Sequence, residues 1–174
     1  MYRRTIMLSL VAAVLSLSSA YAQEQKAAAD GAEKGKYQNV EVAPFTAQEE
    51  VKMTPEQLKA VTDTIVRELQ DIKKFKQVLR EGETPADAAP TLKITGTVVK
   101  FKAGSRAKRY FVGFGAGKTK MIANVKYIDR ESGKVLYEYT ADGDVHMGIF
   151  GGDSGGAKSE LAEQVAKTAK KRFF

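Results

Sequence analysis

Two hydrophobic periods alternate along the chain. From Tyr37 to Phe45, Val40 and Val42 alternate with Asn39 and Glu41 until Pro44 ends the run, which predicts a strand. Thr54-Pro55-Glu56-Gln57 then opens a helix. Thr54 can accept from the amide of Gln57, Gln57 can reach back to the cap, and Pro55 suits the first helical position. Leu58, Val61, Ile65, Leu69 and Ile72 follow at steps of three and four, so they share one face as far as about Lys74. Phe75 to Arg80 fits either a short strand or the end of that helix. Residues 81–90 hold Gly82, Pro85 and Pro90 and read as a loop.

The period then becomes two. In 91–102, Leu92, Ile94, Gly96 and Val98 share one strand face, and Thr91, Lys93, Thr95 and Thr97 the other. In 118–129, Met121, Ala123, Val125 and Tyr127 lie opposite Ile122, Asn124, Lys126 and Ile128. Asp129 to Gly133 reads as a hairpin loop with Gly133 at positive φ. Residues 134–145 form the partner strand, with Val135, Tyr137 and Tyr139 opposite Leu136, Glu138 and Thr140. A glycine-rich stretch, 147–156, precedes a closing helix over 157–173, where Leu161, Val165, Ala169 and Phe173 recur every four residues. Its last turn carries Lys170, Lys171 and Arg172, which suits the negative helix end. The pattern predicts an α+β fold: an antiparallel or mixed sheet of about four to six strands with two helices packed on one face.

The N-terminus reads differently. Arg3 and Arg4 precede an apolar run from Ile6 to Leu17, too short to span a bilayer comfortably, and Ala20-Tyr21-Ala22 fits a small-x-small cleavage site. Residues 1–22 are therefore expected to be a secretory signal, 23–36 a disordered tether of Ala, Gly and charge, and 37–174 one α+β domain. Removing 22 of the 174 residues leaves 152; with Arg3 and Arg4 gone, the formal charge falls from +7 to +5. The expected address is the periplasm. No Cys follows the cleavage site, so lipoprotein anchoring is not expected, nor is a transmembrane span in the mature form.

Composition narrows the chemistry. The chain has no Cys, no Trp and one His, so it has no disulfide, no thiolate site and little material for a His-based metal cluster. No metal and no cofactor are expected. Gly113-Phe-Gly-Ala-Gly-Lys-Thr119 looks like a phosphate-binding loop, but the position where that pattern needs its first Gly holds Val112, and a strand rather than a helix follows. Gly152-Asp-Ser-Gly-Gly156 looks like the surroundings of a protease nucleophile. The sole His, His146, stands eight residues before Ser154, and no first barrel precedes it to supply the usual base. A hydrolase using His146 and Ser154 is the enzymatic alternative; a flexible glycine loop is the simpler one. The pattern ahead of the final Phe174 is helical, which excludes an outer-membrane barrel strand there.

The stronger signal is basic. Between Ala88 and Ile128 there is no acidic residue, while Lys93, Lys100, Lys102, Arg106, Lys108, Arg109, Lys118, Lys120 and Lys126 are present. Several flank the glycine-rich stretch 104–119. Such a loop can offer cationic side chains and bare backbone amides to an anion. Arg106, Lys108, Arg109 and Lys118 are the candidate cationic contacts, and Tyr110 a candidate stacking group. Gly113, Gly115 and Gly117 would allow close approach of backbone. The same lysines also suit a solvated strand face that keeps a sheet edge from pairing.

Arg109-Tyr110 within Gly104 to Tyr110, then Gly113 to Gly117, then Asp129 to Leu136, resembles the family catalogued as domain of unknown function 4410. The resemblance runs from about Tyr37 to the C-terminus. It implies a bacterial exported protein with an α+β fold, similar to the N-terminal domain of TolB or the core of curli-export lipoproteins. It carries no activity with it. Members are often lipoproteins, and this chain departs from them in lacking the lipid-accepting Cys.

These readings lead to a non-enzymatic periplasmic module that binds an envelope component or partner protein, such as an anionic lipid or polysaccharide. Nucleic acid is not an expected partner of an exported chain. The alternative is a homo-oligomeric assembly component using its glycine-rich loops as subunit contacts.

Overall fold

A computed structural model describes residues 34–102, 119–144 and 154–174, apart from the side chains of 144, 154 and 155. In chain order the elements are β1 (Asn39–Val42), β2 (Thr46–Ala47), α1 (Pro55–Asp71), β3 (Gln77–Arg80), β4 (Thr91–Lys102), β5 (Lys120–Asp129), β6 (Val135–Asp144) and α2 (Ser154–Phe173). The six strands form one mixed sheet in the order β3-β1-β4-β5-β6, with β2 also paired to β4. β1 runs parallel to both β3 and β4, whereas β4-β5 and β5-β6 are antiparallel. The expected α+β architecture is therefore present, and the ambiguous stretch after the first helix is a strand.

A parallel partner cannot be reached by a tight turn, so β1 and β3 need a crossover, and α1 supplies it. The helix starts as its sequence directs. The Gln57 amide donates to Thr54 Oγ1 at 3.3 Å, the Thr54 amide donates to Gln57 Oε1 at 2.9 Å, and Pro55 occupies the first turn. Val61, Ile65 and Leu69 are fully buried, while Leu58 and Ile72 sit half-buried at the ends of the stripe.

β1 and β2 are one strand interrupted at Pro44. Val42 faces Ile94 and Thr46 faces Thr97, so one more residue is used on this side than on β4. The bulge turns Phe45 inward over Gly96, where a Cβ would strike the Phe45 ring. Thr62 of α1 holds the bulge, since its hydroxyl accepts from the Phe45 amide at 3.0 Å.

The core lies between the sheet and the two helices. Val40, Val42, Leu92, Ile94, Val98, Met121, Ala123, Val125 and Tyr127 are buried against the faces of α1 and α2, including Leu161, Val165 and Ala169. The strand faces expected for β4 and β5 are those observed.

Two strands, β6 and β1, depart from simple alternation. A bulge between Tyr127 and Ile128 sets Val135 opposite Ile128, away from the core, where it is 47% exposed. Leu136, the extra residue, packs on the core instead, so Val135 does not share a face with Tyr137. In β1, Asn39 and Glu41 are as buried as the valines. Residues 81–90 are held beside this strand: Asn39 Nδ2 donates to Asp87 at 2.7 Å, and the Gln38 amide donates to the Pro90 carbonyl at 3.1 Å.

Candidate functional site

The antiparallel registers bring three chain positions side by side. Lys102 at the end of β4 pairs with Lys120 at the start of β5, and Lys120 pairs with Asp144 at the end of β6. Segments 103–118 and 145–153, which contain both glycine-rich stretches, are thus rooted at one end of the sheet. α2 is docked there: a Cβ on Gly143 would run into the carbonyl oxygen of Ala157, so helix and strand approach backbone to backbone. At the same end Thr119 is buried and Lys120 donates to Asp142 at 2.9 Å.

Arg106, Lys108, Arg109, Tyr110, Gly113, Gly115, Gly117 and Lys118 all lie outside the described residues. So does His146, and Ser154 is described only as the first residue of α2. The rest of the basic run is split by its pairing. Lys93, Lys120 and Lys126 meet Glu81, Asp142 and Glu138 at 2.6, 2.9 and 3.7 Å. Lys100 and Lys102 are exposed and pair with no carboxylate among the described residues. Of the five described members of the basic run, three are therefore ion-paired, and the other two, Lys100 and Lys102, adjoin segment 103–118.

Two charge clusters escape the sequence reading. Glu41, with a side chain only 3% exposed, accepts from Arg130 Nε at 2.9 Å and lies 3.4 Å from Lys93 Nζ. The adjacent Glu81 carboxylate raises the Lys93 ammonium above its usual range. At the other end of the sheet from the glycine-rich segments, Asp129 organises the β5-β6 turn. It accepts from the Ser132 amide at 2.9 Å and from the Tyr37 hydroxyl at 2.8 Å, and Gly133 follows with φ of 71°. The Ser132 amide first, then the Tyr37 hydroxyl, hold its carboxyl well below the usual carboxylate range. A depressed folded-state pKa stabilises the fold above the unfolded value, near 4, and that contribution fades as pH falls from there toward the folded value. Asp129→Asn should therefore cost about 1–3 kcal/mol at pH 7, and the gap to wild type should close on acidification below about pH 4. Urea unfolding across pH checks both the cost and its closure. Among the described residues no group of His, Cys, Asp and Glu is placed to hold a metal ion.

A model of the family described as Domain of unknown function (DUF4410) matches residues 16–148. The chain belongs to this family. No curated protein matches it. Among solved structures, the PelC dodecamer from Paraburkholderia phytofirmans is similar with a TM-score of 0.57 at 15% identity, over 82% of this chain and 94% of that one. A PelC variant in another crystal form gives 0.54 at 15% identity, over 78% and 89%. Protein XCC0632 from Xanthomonas campestris, of the DUF330 family, gives 0.48 at 14% identity, over 80% and 83%. At these identities the likeness to PelC is one of fold. No helix among the described residues is long and apolar enough to cross a membrane.

Proposed function

We propose that the protein is a non-enzymatic, exported module of the bacterial cell envelope that binds an anionic envelope component or partner protein through 104–120. Arg106, Lys108, Arg109 and Lys118 supply the cationic contacts, Tyr110 stacks on the ligand, and Gly113, Gly115 and Gly117 admit its close approach. The observation that carries this reading is the common root of the two glycine-rich segments, at Lys102, Lys120 and Asp144, with the exposed Lys100 and Lys102 beside it. Residues 1–22 serve export, 23–36 tether the domain, and no cofactor takes part.

The test is binding to immobilised lipopolysaccharide and to the soluble envelope fraction, at low and high salt. Charge contacts should weaken as salt screens them. The Arg106→Ala/Arg109→Ala variant should lose at least about tenfold in affinity, on the scale of two lost charge-assisted contacts. Binding that ignores both salt and the variant sinks the reading.

A second reading is favoured by one observation: PelC, whose fold this chain shares over most of its length, forms a dodecamer. Here the glycine-rich segments would insert between subunits. Analytical ultracentrifugation should then show a defined oligomer that Gly115→Val dissolves, and a monomer at high concentration removes it.

A further inference from the structure

The end of the sheet away from the glycine-rich segments has its own concentration of charge. Both helices finish there. α1 closes with Ile72, and Lys73 follows in the left-handed region with φ of 48°, which turns the chain toward Lys74. α2 ends at Phe173, whose carbonyl accepts from the Gly35 amide at 2.8 Å, so the described chain begins at this same end. Between the two helix ends lies a cavity of about 360 Å³ lined by Lys74, Lys167, Lys170, Lys171 and Phe174. The Phe174 ring stands edge-on to Phe75 with centroids 4.6 Å apart, which fixes it at the rim.

Lys167 is held by Glu163 at 2.6 Å. Lys74, Lys170 and Lys171 make no ion pair among the described residues. Helix ends favour lysine, which accounts for Lys170 and Lys171 in the last turn of α2. It does not account for Lys74, which lies beyond the end of its own helix and converges on the same concavity. Several ammonium groups lining one concavity favour an anion there.

We propose that this cavity binds the phosphate of an anionic phospholipid head group, which sets this end of the domain against the membrane surface. Lysines around a fixed aromatic ring match the head-group boundary, where the ammonium meets phosphate and the stem and ring meet the acyl region. The roots of the glycine-rich segments, at Lys102, Lys120 and Asp144, then lie at the far end of the sheet. This site is separate from the loop surface proposed above, and neither requires the other.

The test uses protein purified from cells expressing the full chain, sedimented with vesicles of phosphatidylglycerol or of phosphatidylcholine. The wild type should prefer phosphatidylglycerol. Lys74→Gln/Lys170→Gln/Lys171→Gln should weaken that binding at least about tenfold, from the loss of three near-surface charges. A control with the same charge change elsewhere, Lys52→Gln/Lys126→Gln/Lys158→Gln, should change it less than about threefold. Equal losses in the two triples, or none in the first, overturn the proposal. Circular dichroism verifies that both triples fold. Inorganic phosphate provides the other arm. If it shifts the Phe174 amide resonance while phosphatidylglycerol vesicles leave the protein in the supernatant, the site takes a free anion and the membrane assignment fails. The loss caused by Lys74→Gln/Lys170→Gln/Lys171→Gln should be the same, within about threefold, in the wild-type and the Arg106→Ala/Arg109→Ala backgrounds, so loss of loop binding and loss of cavity binding are told apart.

Discussion

Ile65→Asp should leave the protein largely unfolded at room temperature. Ile65 is fully buried at the middle of the α1 stripe, with Val61 and Leu69 a turn away on either side and the sheet beneath. Truncating a buried aliphatic side chain costs about 2–5 kcal/mol. Adding a carboxylate with no partner costs several more, or forces it to take up a proton. The sum rivals the whole stability of a domain, about 5–15 kcal/mol. Two companions set the scale. Ile65→Val should cost only about 0.5–1.5 kcal/mol, and Arg67→Ala, exposed one turn of helix from the core face, about 0.5 kcal/mol or less. Urea unfolding followed by far-ultraviolet circular dichroism reads all three. A cooperative transition for Ile65→Asp within about 1 kcal/mol of wild type would mean that α1 is not seated on the sheet.

That helix was legible because cap, proline and period agree. The Thr54-Gln57 box, Pro55 at the first turn and the stripe from Leu58 to Ile72 each point to one start and one face. β4 and β5 were legible for the same reason, since period-two burial needs only the local sequence. What the sequence hides is whatever depends on a distant covering element. Asn39 and Glu41 look like the wet side of a half-buried strand, yet residues 81–90 and Arg130 cover them. Val135 is misplaced by a bulge that no turn residue announces. The lysine-lined cavity joins Lys74 to residues more than ninety positions later, so no window of sequence contains it. Of the proposed basic surface only the root lies among the described residues: Lys102, Lys120 and Asp144 are aligned by two antiparallel registers.

Glu41 gives the second large effect. Its carboxylate is 3% exposed and is balanced by Arg130 at 2.9 Å and Lys93 at 3.4 Å. Both partners come from elsewhere in the chain: Lys93 sits beside Glu41 in the β1-β4 register, and Arg130 reaches over from the β5-β6 turn. Lys93→Met/Arg130→Met keeps the apolar stems but strands the carboxylate. Breaking a buried pair from one side costs about 3–5 kcal/mol, because the remaining charge has neither water nor counter-charge. The double variant should lose about that much. Adding Glu41→Leu should then recover most of it, since a buried ion pair replaced by apolar groups of similar size is often close to neutral. The cycle separates two causes that single changes confuse. If the loss came from removing Arg130 and Lys93 from the surface, Glu41→Leu would restore nothing. If it comes from an uncompensated charge, the triple variant should be more stable than the double. Urea midpoints at constant m-value decide between them.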